Sequence, residues 1–131
     1  MKEGDPVRQA KLMYRLGEAE FQEIDTDTAA ERLPEAVATL KEYRDEVQTC
    51  EKGLDSRGVN PETHPAGYKQ LQISLRESLR HLDDLLVNFT ADRQAPFLEV
   101  RKDLEQLDVH LIHELFPTQP VGDISPPKPK S

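Results

Sequence analysis

The prolines of this chain divide it into segments. Ten prolines occur, and all but Pro34 lie beside the apolar stripes rather than within them. Because proline lacks an amide donor and clashes with the carbonyl four residues earlier, it suits the first turn of a helix but not the interior. The segments between the prolines repeat apolar residues at helical spacing. The pattern therefore predicts an all-α protein.

The connections between the predicted helices indicate how the helices pack. Short linkers make consecutive helices antiparallel neighbours, so we predict an antiparallel up-down four-helix bundle over 1–116. After Pro117 the chain is rich in proline and poor in apolar side chains, and burial there cannot offset the entropy of ordering. We therefore expect a flexible Pro-rich C-terminal tail. The predicted helices span about 6–24, 29–57, 65–90 and 95–116, and the tail spans 117–131.

The start of the second helix has two interpretations. Thr28 and Glu31 match the capping box of a helix N-terminus. Pro34 then either kinks a helix that runs over 29–57, or opens the helix itself and leaves 28–33 as a separate capped turn. We favour the second interpretation because a proline in a helix interior costs about 3 kcal/mol.

Two glycines carry specific expectations. Gly58 followed by Val59 predicts a Schellman helix end, in which Val59 contacts Leu54. Gly17 lies within the apolar seam of the first helix, where glycine costs about 1 kcal/mol relative to alanine. Either a neighbouring helix approaches Gly17 closely, or the glycine is simply tolerated.

The charge and the cysteine content restrict the partners and the compartment. Twenty-five acidic residues against seventeen basic ones give a net charge of −8, which repels phosphate backbones and anionic lipid. We expect neither nucleic acid nor a membrane as partner, and no segment approaches the about 20 apolar residues of a membrane span. Cys50 is the only cysteine, so we expect a protein of the reducing cytoplasm without an internal disulfide.

The sequence offers no catalytic constellation. Cys50 lies on an apolar stripe, which favours a role as core filler with a raised thiol pKa. The carboxylates occur in surface runs and give no sign of a buried pair, and no glycine-rich loop for a phosphate is present. We therefore predict no catalytic residue and no cofactor, and we lean against an enzyme.

Histidines and a carboxylate on the last two helices are the candidates for a metal site. His110 and His113 share a helix face with Glu114 beside them, and His81 has Asp84 one turn away. On a helical wheel, however, His110 and His113 point away from the centre of the apolar stripe. Solvated or rim histidines are the competing interpretation. The weak metal candidates are His81, His110, His113 and Glu114.

The charge distribution suggests where a partner binds. Acidic residues are concentrated in the stretch from Glu18 to Glu35, in which Arg32 is the only base. Rows of one sign are explained by a basic row on another molecule, or by solvation alone. The predicted partner-binding residues are Glu18, Glu20, Glu23, Asp25, Asp27, Glu31 and Glu35.

These observations leave three hypotheses about function. The first is a non-enzymatic helical-bundle module that self-associates or binds a protein partner, because second apolar rows on the last two helices exceed what one seam needs. The second is a tetratricopeptide-like adaptor, although no self-similarity at the period of about 34 residues is visible. The third is a metal-binding bundle that uses His81, His110 and His113. The second apolar rows are Ile73/Val87 and Leu98/Val109/Phe116.

Overall fold

The computed structural model describes residues 6–56 and 65–116, and these residues form four helices. The predicted antiparallel up-down four-helix bundle is confirmed. The expected tail and the Gly58–Val59 helix end lie outside the described residues. The helices are α1 (Pro6–Ala29), α2 (Leu33–Asp55), α3 (Ala66–Leu86) and α4 (Ala91–Leu115).

The four helices form two hairpins that stack side by side. The α1–α2 hairpin packs on the α3–α4 hairpin with α1 along α3 and α2 along α4, and α2 touches α3 across the bundle. A hydrogen bond between His81 and Asp25 joins the C-terminal parts of α1 and α3, and an ion pair between Arg44 and Asp103 joins the middle of α2 and α4. Neighbouring helices of different hairpins therefore run parallel. We call the end with the loops 30–32 and 87–90 the upper end, and the opposite end the lower end.

The junction of α1 and α2 is a helix end followed by a helix start. The amide of Glu31 donates to the carbonyl of Thr28, and the amide of Arg32 donates to the carbonyl of Asp27. Glu31 has φ of 62°, so the segment is a Schellman motif with glutamate at the position that glycine usually takes. The prediction of a capping box at Thr28 and Glu31 is wrong, because the helix that these residues belong to is ending.

Pro34 lies in the first turn of α2, where its missing amide is not needed. The interpretation that Pro34 opens the helix is confirmed. The separate turn over 28–33 is wrong, because α1 continues past its predicted end near 24 to Ala29.

The start of α4 differs from the prediction. Helix α4 begins at Ala91, which leaves Pro96 inside it instead of at its start. The Gln94 side chain explains the early start, because its amide donates to the carbonyls of Leu86 at 2.7 Å and Phe89 at 3.1 Å. The carbonyl of Leu86 also accepts from the amide of Phe89, so Gln94 adds a second donor to it and a donor to the loop carbonyl of Phe89.

The core is continuous from one end of the bundle to the other, and its centre is Tyr43. The Tyr43 ring is fully buried and packs edge-on against Phe21 with ring centroids 5.4 Å apart, while its hydroxyl lies 2.7 Å from Ser78 Oγ. A Cβ atom built on Gly17 would lie 3.1 Å from Tyr43 Cε1. The close-approach explanation of Gly17 is therefore confirmed.

Candidate functional site

The structure does not bring the three candidate histidines together. His81 lies towards the upper end, where its Nε2 is 2.9 Å from Asp25 Oδ2 and its ring packs on Phe21. His113 is exposed on α4. His110 lies at the lower end, where its Nε2 is 3.0 Å from Glu114 Oε2.

His110 meets two carboxylates of α2 that the sequence interpretation did not include. Its Nε2 lies 3.3 Å from Glu51 Oε2 and 3.7 Å from Asp55 Oδ2. Glu51 and Asp55 are one helical turn apart at the end of α2, and His110 and Glu114 are one turn apart at the end of α4. The two parallel helices thus place their last turns side by side. We call Glu51, Asp55, His110 and Glu114 the lower-end cluster.

Burial sets the electrostatics of this cluster. Only 7% of the Glu51 side chain is exposed, and burial raises the pKa of its carboxyl to about 7, against the lowering effect of His110. Oε2 of Glu51 accepts no hydrogen bond. Tyr68 on α3 donates to Asp55 Oδ1 at 3.0 Å, which leaves Oδ2 of Asp55 facing His110. The cluster combines imidazole and carboxylate ligands within 4.8 Å for Glu51, Asp55 and His110.

Four of the seven acidic residues predicted to bind a partner are engaged within the chain. Asp25 pairs with His81, Asp27 with Arg32, and Glu31 with Arg93, while Glu20 is buried. The other three, Glu18, Glu23 and Glu35, are exposed. The acidic surface that remains therefore differs from the continuous Glu18–Glu35 stretch.

The buried Glu20 forms a carboxyl pair with Glu46 of α2, which is half-buried. Burial is the main cause that raises the Glu20 pKa to about 8, and a hydrogen bond with Glu46 and its charge raise it further. Oε1 of each residue is buried without a hydrogen-bond partner. The negative charges of Glu42 and Glu23 raise the Glu20 pKa as well. The pair was not predicted from the sequence, because Glu20 lies in a run of acidic residues that is typical of a solvent-exposed helix face.

An apolar groove lies beside this pair, between α1 and α2. It encloses about 390 Å³. Leu12 and Leu16 stand on its rim with 52% and 40% of their surface exposed, one helical turn apart. Glu46 lines the groove and connects it to the carboxyl pair. The lining residues are Gln9, Leu12, Met13 and Leu16 from α1, and Asp45, Glu46, Thr49 and Cys50 from α2.

Neither Cys50 nor the second apolar row of α4 forms a catalytic or metal-binding site. Cys50 is buried as a free thiol, and burial raises its pKa to about 11, which makes the thiol a poor nucleophile. The second apolar row of α4 is exposed at Leu98, Val109 and Phe116. Within residues 6–56 and 65–116 we find no helix that is long and apolar enough to cross a membrane.

Comparison of the chain with protein-family models, with curated proteins and with solved structures finds no match. The candidate functional sites of the chain are the lower-end cluster and the α1–α2 groove with its carboxyl pair.

Proposed function

We propose that the protein is a non-enzymatic interaction module that binds a basic amphipathic helix of a protein partner along the α1–α2 groove. The observation that carries the proposal is the continuity of the apolar groove with the Glu20–Glu46 pair, in which two buried carboxyl oxygens have no hydrogen-bond partner. Buried polar atoms without partners are rare in folded proteins. A cationic side chain of a partner that contacts Glu46, where this residue lines the groove, would place a positive charge and a donor beside the pair.

The apolar part of the groove suits a helix. Leu12 and Leu16 are exposed on one face of α1, and Cys50 and Met13 form part of the floor between the two helices. An amphipathic helix binds such a groove through apolar side chains one turn apart. Burying the exposed part of one leucine contributes on the order of 1 kcal/mol.

The acidic residues beside the groove indicate that the partner helix carries basic residues next to its apolar ones. Glu20 and Glu46 have Glu42 and Glu23 nearby, while Asp45 on the groove wall pairs with Arg44. A lysine or arginine placed one turn beyond the apolar residues of the partner would reach these carboxyls and form charge-assisted hydrogen bonds. The net charge of −8 adds attraction to a basic partner and disfavours nucleic acid and anionic membranes.

A model peptide tests the proposal. We would use a labelled amidated helix with two leucines four residues apart and two lysines in the following turn, and a second peptide with glutamates in place of the lysines. Fluorescence anisotropy should show saturable binding of the lysine peptide that weakens with added salt. The glutamate peptide should not bind. Leu16→Lys and Glu46→Gln should each weaken binding at least tenfold.

The matched control is Leu98→Lys, because Leu98 has 43% exposure, close to that of Leu16, but lies on α4. Equal losses in Leu16→Lys and Leu98→Lys, or equal affinity for the two peptides, would contradict the proposal. Light scattering on the protein alone distinguishes self-association, since a dimer that is abolished by Leu16→Lys would show that a second copy covers the groove.

The tetratricopeptide-like alternative receives support from the topology alone. Stacked helical hairpins with like helices alongside each other are the arrangement of helical-repeat proteins, and α1–α2 and α3–α4 stack in this way. The groove between α1 and α2 is apolar and acidic, however, rather than basic or aromatic.

We also expect a reducing compartment such as the cytoplasm, because the single cysteine is a buried free thiol.

A further inference from the structure

We infer that the lower-end cluster is a binding site for a divalent first-row transition-metal ion, with Zn²⁺ as the best-fitting ion, and that Glu51, Asp55 and His110 are its ligands. The cluster is separate from the α1–α2 groove, so the inference does not depend on the proposed function. It also replaces the three-histidine site expected from the sequence, because His81 and His113 lie elsewhere.

The spacing of the ligand atoms supports a small metal ion. Zinc bonds of about 2.0–2.2 Å place the ligand atoms of a tetrahedral site roughly 3.3–3.6 Å apart. Nε2 of His110 lies 3.3 Å from Glu51 Oε2 and 3.7 Å from Asp55 Oδ2. Glu114 Oε2 lies 3.0 Å from the same nitrogen and adds a carboxylate beside the three ligands. Nitrogen and carboxylate oxygen are ligands that zinc accepts.

Glu51 provides a second, independent observation. The residue is 95% buried, since 5% of its surface is exposed, and its Oε2 oxygen faces His110 without accepting a hydrogen bond. A buried carboxylate is costly unless a cation and hydrogen bonds compensate its charge. One imidazole N–H cannot donate to Glu51, Asp55 and Glu114 at once, whereas a metal ion interacts with all of them.

The surroundings of the cluster favour a cation as well. Helices α2 and α4 end here in parallel, and the negative ends of both helix dipoles attract positive charge. Tyr68 donates its hydroxyl to Asp55 Oδ1, which holds the carboxylate with Oδ2 towards His110. Such outer hydrogen bonds orient metal ligands, and their removal weakens metal binding by about 10–100-fold.

Isothermal titration with ZnCl₂ tests the site. The protein should carry no histidine tag and be freed of metal with a chelator. We expect one Zn²⁺ per chain, and at least tenfold weaker binding in His110→Ala and in Glu51→Gln. Tyr68→Phe should weaken binding about tenfold while every ligand stays in place. Zinc should also raise the melting temperature of the wild-type chain more than that of Glu51→Gln.

His113→Ala is the matched control, because His113 lies on the same helix but is exposed outside the cluster. It should bind Zn²⁺ like the wild type. Loss of binding in His113→Ala together with unchanged binding in Glu51→Gln would assign the ion to a surface histidine pair and overturn the inference. Absence of stoichiometric binding in a wild-type chain with intact helical circular dichroism would overturn it as well.

Discussion

The backbone of Gly17 on α1 packs directly against the ring of Tyr43 on α2. A methyl group at Gly17 would lie 3.1 Å from Cε1 of that ring, closer than two carbon atoms pack comfortably. The ring cannot move away easily, because it is buried and its hydroxyl is hydrogen-bonded with Ser78. The contact fixes the separation of the two helices at the centre of the bundle.

Gly17→Ala should therefore destabilise the protein. Alanine gains about 1 kcal/mol in helix propensity over glycine, but overpacking costs about 1–3 kcal/mol, and we expect a net loss of about 1 kcal/mol in urea unfolding. Tyr43→Phe removes the tether to Ser78, so the same substitution should cost less in that background. Ala19→Gly, at an exposed position of α1, measures the propensity term alone. If Gly17→Ala stabilised the protein, the Tyr43 ring would be able to move away from the added methyl group.

Glu31→Gly should stabilise the protein. The left-handed conformation at φ 62° costs a residue with a Cβ about 1–2 kcal/mol, and glycine adopts it freely. The substitution also removes the ion pair with Arg93, which is worth about 0.2–1 kcal/mol at an exposed site. Glu31→Gln loses only that pair. We expect Glu31→Gly to exceed Glu31→Gln by about 1 kcal/mol, with unchanged m-values. Equal stability of the two variants would show that the junction is unstrained.

Glu20 should make the stability depend on pH. Its pKa is about 8 in the folded protein against the usual 4.5, so between these values the folded state keeps a proton that the unfolded state has lost. The free energy of unfolding then falls as pH rises through this window. Glu20→Gln should reduce the dependence, and the remainder comes from Glu51, whose pKa is raised to about 7. It should be more stable than wild type at pH 8, because it no longer acquires a charge beside Glu46, Glu42 and Glu23.

The control for this measurement is Glu23→Gln, because Glu23 is exposed. Its unfolding free energy should follow that of the wild type from pH 5 to 8. A wild-type stability that stays constant over this range would show that Glu20 and Glu46 are both ionised without penalty.

Gln94→Glu should destabilise the α3–α4 junction. The substitution keeps the shape of the side chain but replaces the amide donor with a carboxylate that faces the carbonyls of Leu86 and Phe89. The Leu86 carbonyl keeps its bond from the amide of Phe89, but the Phe89 carbonyl loses the Gln94 donor. A partly buried carbonyl that loses its donor costs about 1–3 kcal/mol, and thermal unfolding measures the loss. Gln106→Glu, at an exposed position of α4, should stay within about 0.5 kcal/mol of wild type. If the two variants had similar effects, the hydrogen bonds of Gln94 to Leu86 and Phe89 would not contribute to stability.

The sequence predicted the helices better than their ends. Apolar spacing and proline positions identify four helices because both act locally. The Thr28–Glu31 pattern fits a helix start, but here it forms a helix end with a non-glycine residue in the left-handed conformation. The start of α4 depends on Gln94 bonding to another helix, and no local pattern shows such a bond.

The candidate sites depend on which helices are neighbours. If consecutive helices were neighbours around the bundle, α2 and α4 would lie on opposite corners. Glu51 and Asp55 on α2 would then be far from His110 on α4, so a common site was not predicted. In the structure α2 and α4 lie side by side, and the cluster follows. The spacing of Glu51 and Asp55, one turn apart beside the buried Cys50, was the available signal. Glu20 is likewise buried by contact with α2, which a single-helix pattern cannot show.

The stacking of two hairpins has a consequence for folding. Each hairpin closes over a short loop and forms contacts between residues close in the chain, which form quickly, whereas contacts of α1 with α3 and of α2 with α4 need the second hairpin. A single connection between Asp55 and Ala66 joins the two units. We therefore expect the two hairpins to form first and to dock onto each other afterwards, because the contacts between the hairpins join residues far apart in the chain.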